Sequence, residues 1–177
     1  LINGLREARR VVAPLAKLDE STLLPAWRRY SGQLYQASAQ VIGRAVRQGV
    51  NVVIISGGYG LVLADEQIGL YDRRFRCGDW PSGLLERVLV AFVEHQGLKS
   101  VRAFASGTSD YEMLLRRVPW KDAQLEDVWL LTPERSQGAM VKSPRAQGEA
   151  FVALFDTGLT DSWRSSDGLS IDGTRLA

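Results

Sequence analysis

Asn51-Val-Val-Ile-Ile-Ser56-Gly-Gly-Tyr-Gly60 places a β-branched apolar run directly before three glycines. A run without polar alternation, bounded by Gly49 and Gly57, suits a strand buried on both faces, and its glycine-rich exit suits a turn at the strand's carboxyl end. On its amino-terminal side, Ser31–Gly49 carries Leu34, Ala37, Val41, Ala45 and Val46 near helical spacing and stops at Gly49. Before that, Arg10–Pro14 (RVVAP) reads as the first strand. Beyond the glycines comes a long loop, then Pro81–Gln96, a helix opened by proline and closed by Gly97. Ser100–Ala105 (SVRAFA) reads as the third strand, and Asp110–Val118 as a helix that Ser109 or Thr108 can cap. Asp127–Thr132 (DVWLLT) is the fourth strand and Pro144–Phe155 the last strong helix. The alternation predicts an α/β fold, a single domain with a mainly parallel central sheet over residues 1–156. Thr157–Ala177, rich in Ser, Gly, Asp and Thr, reads as a loose or partly mobile cover anchored by Trp163.

At 177 residues, 45% hydrophobic and 24% charged, the chain can bury a core without a staple. Its one cysteine, Cys77, cannot close an internal disulfide, and with one histidine, His95, no Cys/His zinc cluster can assemble. That removes most metal chemistry except a carboxylate site. No apolar run approaches a membrane span, and Leu1–Arg10 shows neither a signal-peptide core nor a cleavage pattern, so the expected compartment is cytoplasmic, with no membrane partner and a monomer favoured. The net charge of +2 hides a skew. Of 22 basic residues only Lys17, Lys99, Lys121 and Lys142 are lysine, leaving 18 arginines. Arginine's planar fork suits phosphate, so the composition permits nucleic-acid binding without requiring it, and a GC-rich genome gives the same bias.

Chemistry is expected where loops leave strands: Pro14-Leu-Ala-Lys17-Leu-Asp19, Ser56-Gly57-Gly58-Tyr59-Gly60 and Ser106-Gly-Thr-Ser-Asp110-Tyr111. Backbone N–H groups at such glycine and hydroxyl clusters can bind an anion or a polar ligand; the plain alternative is that the glycines only permit tight turns. The glycine loop lacks the Gly-Lys-Ser/Thr ending of a phosphate loop and the spaced glycines of a dinucleotide site, and Ile54 stands where a nucleophile elbow needs glycine. His95, late in a helix and far from the strand ends, is no triad histidine. Carboxylates, phenols and backbone amides are left. Ala64–Asp72 supplies Asp65, Glu66 and Asp72 beside Tyr71, either carboxylates for activating water at a sugar carbon or a solvated acidic turn. Arg73, Arg74 and Arg76 surround Phe75, ready to grip phosphate or to pair with those acids.

Ala13-Pro14 with Lys17 and Asp19, Tyr30-Ser-Gly32 with Tyr35, Ile55-Ser-Gly-Gly-Tyr-Gly-Leu61 with Ile68 and Tyr71, and Ala105-Ser106 with Asp110-Tyr111 together resemble the ordered signatures of the YaaA family. The likeness covers about residues 10–120. It departs where the lysine sits one position later relative to Asp19, where Ala64 replaces a proline and Asp72 an arginine, and where two residues are inserted before Asp110. These departures resemble a shorter offshoot related to domains of archaeosine synthases. The resemblance implies a single-domain three-layer α/β/α arrangement with a mainly parallel central sheet, akin to uracil-DNA glycosylases, with double-stranded or distorted DNA as ligand and no metal or organic cofactor. The Gly-Gln-Asp-Pro-Tyr and His-Pro-Ser loops of those glycosylases do not occur here.

The expectation is a DNA glycosylase-like enzyme that flips out and excises a damaged or modified base, such as a hypermodified base of phage DNA in a defence role. Tyr30, Tyr59 and Tyr71 would line or stack on the base; Ser56, Gly57, Gly58, Ser106 and Lys17 would bind its polar edges or phosphate. Arg28, Arg29, Arg73, Arg74 and Arg76 would hold the backbone. Asp72 and Asp19, then Glu66 and Asp110, are the candidate catalytic carboxylates. The alternatives are a non-enzymatic DNA-binding stress protein and a nucleotide or nucleoside N-glycosidase using the same pocket.

Overall fold

The computed structural model describes residues 1–125, 127–134, 139–158 and 162–177. In chain order the elements are α1 (Ile2–Leu15), β1 (Asp19–Pro25), α2 (Ala26–Arg29), α3 (Gln33–Arg47), β2 (Val53–Ser56), β3 (Gly60–Leu63) and β4 (Gln67–Leu70). They continue as α4 (Leu84–His95), β5 (Ser100–Phe104), α5 (Asp110–Arg117), β6 (Asp127–Pro133), α6 (Ala139–Thr157), β7 (Ser162–Arg164) and β8 (Ser170–Arg175). The fold is mixed α/β. Among the described residues β5 and β6 form the one parallel pair; β1 with β4, β2 with β3, and β8 with both β6 and β7 are antiparallel.

The expected first strand is a correction. Arg10–Pro14 lies inside α1, because Leu5, Ala8, Val12 and Ala16 recur every three or four residues and pack one helical face into the core beside Leu84, Leu85 and Leu89. That burial outweighs the strand propensity of two adjacent valines. Lys17 and Asp19 therefore leave a helix, not a strand.

The expected long loop after Gly60 also resolves into structure. Ser56 pairs with Gly60, so Gly57–Tyr59 is the turn of a β2–β3 hairpin, and β4 returns to pair with β1. β3 and β4 are each only four residues long, too short for a period to show in sequence. The helices at 33–47, 84–95 and 110–117 form as read, with Ser109 Oγ accepting from the Glu112 N–H as the cap of α5.

Thr157–Ala177 is not a loose cover where it is described. β8 lies between β6 and β7 in the four-stranded sheet β5-β6-β8-β7. Leu169 and Ile171 point inward while Asp172 and Thr174 face solvent, and the turn between the strands runs through Asp167 and Gly168, whose φ is +78°. Trp163 packs against that cluster, as the anchoring role required. Residues 159–161 of the expected tail lie outside the described residues. No helix among the described residues is long and apolar enough to cross a membrane.

Candidate functional site

All five tyrosines of the chain collect in one place, although they come from the end of α2, α3, the β2–β3 turn, the exit of β4 and the first turn of α5. Tyr30 stacks on Tyr35 with ring centroids 4.8 Å apart and meets the edge of Tyr71 at 6.2 Å. Tyr59 meets Tyr71 edge-on at 5.9 Å, and Tyr111, 5.2 Å from Phe75, lies within electrostatic reach of Tyr35 and Tyr71. Through this cluster runs a chain of hydrogen bonds. The Tyr59 N–H donates to Ser56 Oγ at 3.1 Å, Ser56 Oγ donates to the Tyr71 phenol at 3.0 Å, and Tyr71 donates to the Tyr30 phenol at 3.0 Å. Hydrogen bonds in series polarise one another, so Tyr30 ends the chain as a strengthened donor.

Burial holds the protons on Tyr30, Tyr35, Tyr59 and Tyr111. It raises Tyr30 and Tyr35 well above the ordinary phenol range and raises Tyr111 as well. Tyr59 is pushed up to about 12, chiefly by burial and partly by its bond to Glu20, against the opposing Gly69 N–H. The cluster therefore offers neutral hydroxyl donors and flat apolar faces, not phenolate bases.

The glycines of the loop serve close packing. A Cβ on Gly57 would stand 2.0 Å from the Arg73 carbonyl oxygen, and one on Gly58 would stand 2.7 Å from the Tyr71 ring. Gly57 thus lets the 72–74 backbone pass directly over the hairpin turn, and Gly58 lets Tyr71 lie flat on it. Both glycines and Ser56 are buried, so the loop holds the tyrosines in register and is not an open anion cradle.

The candidate carboxylates separate. Asp72 is exposed next to Tyr71, its N–H bonded to the Ala16 carbonyl at 2.9 Å. Asp19 is exposed at the start of β1, where the Ser21 N–H donates to it at 2.8 Å and Ser21 holds its carboxyl below the usual range. Glu66 instead takes Arg9 Nη1 at 2.8 Å and the Leu63 N–H at 3.3 Å. Asp110 opens α5, and its carbonyl accepts from the Cys77 thiol at 3.2 Å.

The arginines separate as well. Arg73 grips Asp79 through two 2.7 Å bonds, and Arg29 is bound to the carbonyls of Thr22 and Ile68. Arg28 lies over the Trp27 ring at 5.8 Å, while Arg74 and Arg76 are exposed and form no ion pair among the described residues. Lys17 is exposed in the left-handed region at φ 51°, and Ser106, half-buried, accepts from Ser109 Oγ at 2.5 Å.

Sequence reasoning did not assign Arg9 or Glu20 to the site. Arg9 spans from α1 to the hairpin, donating to the Tyr59 and Leu61 carbonyls at 2.9 and 2.6 Å, and Glu20 accepts from the Tyr59 phenol at 3.0 Å. The mistaken strand at residues 10–14 hid the helical face that carries Arg9. A concavity of about 510 Å³ lies elsewhere, between α3 and α6, lined by Gln33, Gln36, Lys142, Arg145 and Glu149. Its walls are mostly polar side chains with no aromatic face among them. Among the described residues no three His, Cys, Asp or Glu side chains are placed to hold a metal ion.

No family model, curated protein or solved structure matches this chain.

Proposed function

We propose that this chain is a DNA glycosylase-like enzyme that extrudes one nucleotide and hydrolyses its N-glycosidic bond, on an α/β/α arrangement akin to the uracil-DNA glycosylases. The observation that carries the reading is the convergence of five tyrosines on the hydroxyl chain from Ser56 through Tyr71 to Tyr30. A base taken out of its stack needs flat aromatic surface and directed donors, and this cluster supplies both. The target would be a damaged or modified base, a hypermodified base of phage DNA among them.

In the reaction, water adds to the anomeric carbon while the bond to the base breaks and its electron pair leaves with the base. The water proton passes to a carboxylate, which releases it to solvent, and the departing base takes up one proton from solvent. Asp72, beside Tyr71, is the first carboxylate for this role and Asp19 the second, because Glu66 is committed to Arg9. Arg28, Arg74 and Arg76 are the cations left to meet the DNA backbone. The deciding experiment is mass spectrometry of free base, with alkaline cleavage at abasic sites, after incubation with plain, uracil-containing, oxidised and phage-modified DNA. Asp72→Asn is expected to abolish release while leaving DNA affinity nearly intact; full activity in that variant removes Asp72 from the role.

One observation favours a second reading, a non-enzymatic DNA-binding protein. Asp19 and Asp72 are both exposed, whereas a water-activating carboxylate is usually desolvated. This reading predicts salt-dependent binding to every DNA in the panel and no release of base.

A further inference from the structure

Three buried side-chain nitrogens have no hydrogen-bond partner among the described residues: Arg29 Nε, Trp80 Nε1 and Gln147 Nε2. The first belongs to a guanidinium already anchored to the Thr22 and Ile68 carbonyls. The second sits in the main core, its ring pressed on Gly60. Gln147 differs from both. It is 4% exposed, its amide donor is unmet, and desolvating such a donor without a partner costs stability that an apolar side chain would not.

The position of Gln147 follows from its neighbours on α6. Gly148 is pressed against the first turns of α3, where a Cβ would stand 2.3 Å from the Leu34 carbonyl oxygen and 2.9 Å from Ala37 Cβ, so this level of α6 is the level of Tyr35. Ala146 and Ala150 face the opposite way, into the cluster with Leu131 and Ile171, and Arg145 and Glu149 face outward. The remaining, inward face carries Ser143, Gln147 and Phe151, four residues apart. Phe151 packs against the buried cluster of Ile42, Ile54 and Tyr59, against which Tyr30, Tyr35 and Tyr71 also pack, and it meets Phe104, the last residue of β5, at 5.9 Å. α6 begins beyond the carboxyl ends of the parallel β5 and β6, so Gln147 stands one helical turn, about 6 Å, further past the end of β5 than Phe151. That is the side from which Ser106 and Tyr111 leave β5. At this level the inward face of α6 changes from apolar to polar, and Ser143, 7% exposed, continues the change.

We infer that Gln147 is a specificity-determining residue of the tyrosine site, its Nε2 donating to an acceptor, a carbonyl oxygen or a ring nitrogen, on the edge of the extruded nucleobase. The inference rests on the reading of that site as a nucleobase pocket. Tyrosine faces accept any base, since every base has a π surface, so discrimination falls to a directed polar group. An amide that gives up no protein bond when the base arrives applies the whole of its new hydrogen bond to that discrimination.

The test compares wild type, Gln147→Glu and Gln147→Leu in calorimetric titrations with thymidine, deoxyuridine, deoxycytidine, deoxyadenosine, deoxyguanosine and 8-oxodeoxyguanosine, alongside thermal unfolding and base release from DNA. Gln147→Glu keeps the shape and removes the donor; it is expected to weaken the preferred probe about tenfold or more. Gln147→Leu is expected to do the same while raising the melting temperature, which a residue kept for stability would lower. Wild-type affinity and base preference in both variants, with base release intact, overturn the assignment of Gln147 and leave the site's reading standing. Wild-type protein that binds none of the six probes and releases no base overturns the nucleobase pocket and this inference with it.

Discussion

The phenol oxygens of Tyr71 and Tyr30 stand 3.0 Å apart across 41 residues of sequence, with Ser56 Oγ a further 3.0 Å from Tyr71. The middle hydroxyl of the three is the one that both neighbours need. Tyr71→Phe keeps the ring on Gly58 and removes that link. We expect a loss of about 1 kcal/mol in chemical denaturation and a much larger relative loss of base release. Unchanged release in this variant would show that the hydroxyl chain takes no part in function.

Alkaline titration reads the same cluster. The folded protein holds the protons of Tyr30, Tyr35, Tyr59 and Tyr111 to higher pH than the unfolded chain does, burial being the first cause in each case. Above the ordinary phenol value of about 10 the unfolded state therefore binds fewer protons than the native state. The stabilising contribution is complete below that pH and is lost as the pH rises, for Tyr59 through about 12. Ultraviolet difference spectra should show the phenolate signal of these four residues arriving late and together with unfolding. Four phenols titrating near 10 in folded protein would contradict the buried cluster.

Gly57 is the contact most sensitive to added volume. In Gly57→Ala the new methyl meets the backbone of Arg73 and Arg74, with no flexible side chain to give way. The expected destabilisation is about 3 kcal/mol in urea denaturation, together with displacement of Asp72. A variant as stable as wild type would mean that the 72–74 segment does not cross the hairpin turn at this distance.

Ile171 tests the carboxyl-terminal strands. It is fully buried between β6 and α6, so Ile171→Ala should cost about 3 kcal/mol. A loose cover would lose almost nothing.

Charge substitutions separate the arginines by role. Arg74→Ala and Arg76→Ala should each lower the slope of log affinity for DNA against log salt concentration by about 1 at unchanged melting temperature. Arg73→Ala should instead lower the stability, since it leaves Asp79 without the guanidinium that holds its carboxyl below the usual range. That stabilisation is present above the ordinary aspartate range and is lost as the pH falls, so the difference between wild type and Arg73→Ala should shrink in acid. An equal salt slope in all three variants would exclude this face as the DNA contact.

Much of this protein was legible without coordinates because it is encoded locally. The helices over 33–47, 84–95 and 110–117 and the strands β2, β5 and β6 follow from apolar spacing, from glycine stops and from the Ser109 cap, which act within a few residues of one another. Residue identity also brought Ser56, Tyr30, Tyr59 and Tyr71 forward as partners. Other features depend on contacts between distant segments. Whether Arg10–Pro14 becomes strand or helix is settled by the apolar surface that receives Ala8 and Val12, and the short strands β3, β4, β7 and β8 exist only because a pairing edge awaits them. The glycine loop is packed shut instead of open because Arg73 and Tyr71 come back over it. The division of the acids and arginines into tied and untied groups arose in the same way, since the Arg9–Glu66 and Arg73–Asp79 pairs were set by chain geometry. Gln147 lies farthest from sequence reasoning: a polar residue in a helix looks like any solvated one until the fold closes over its amide and leaves it unmet.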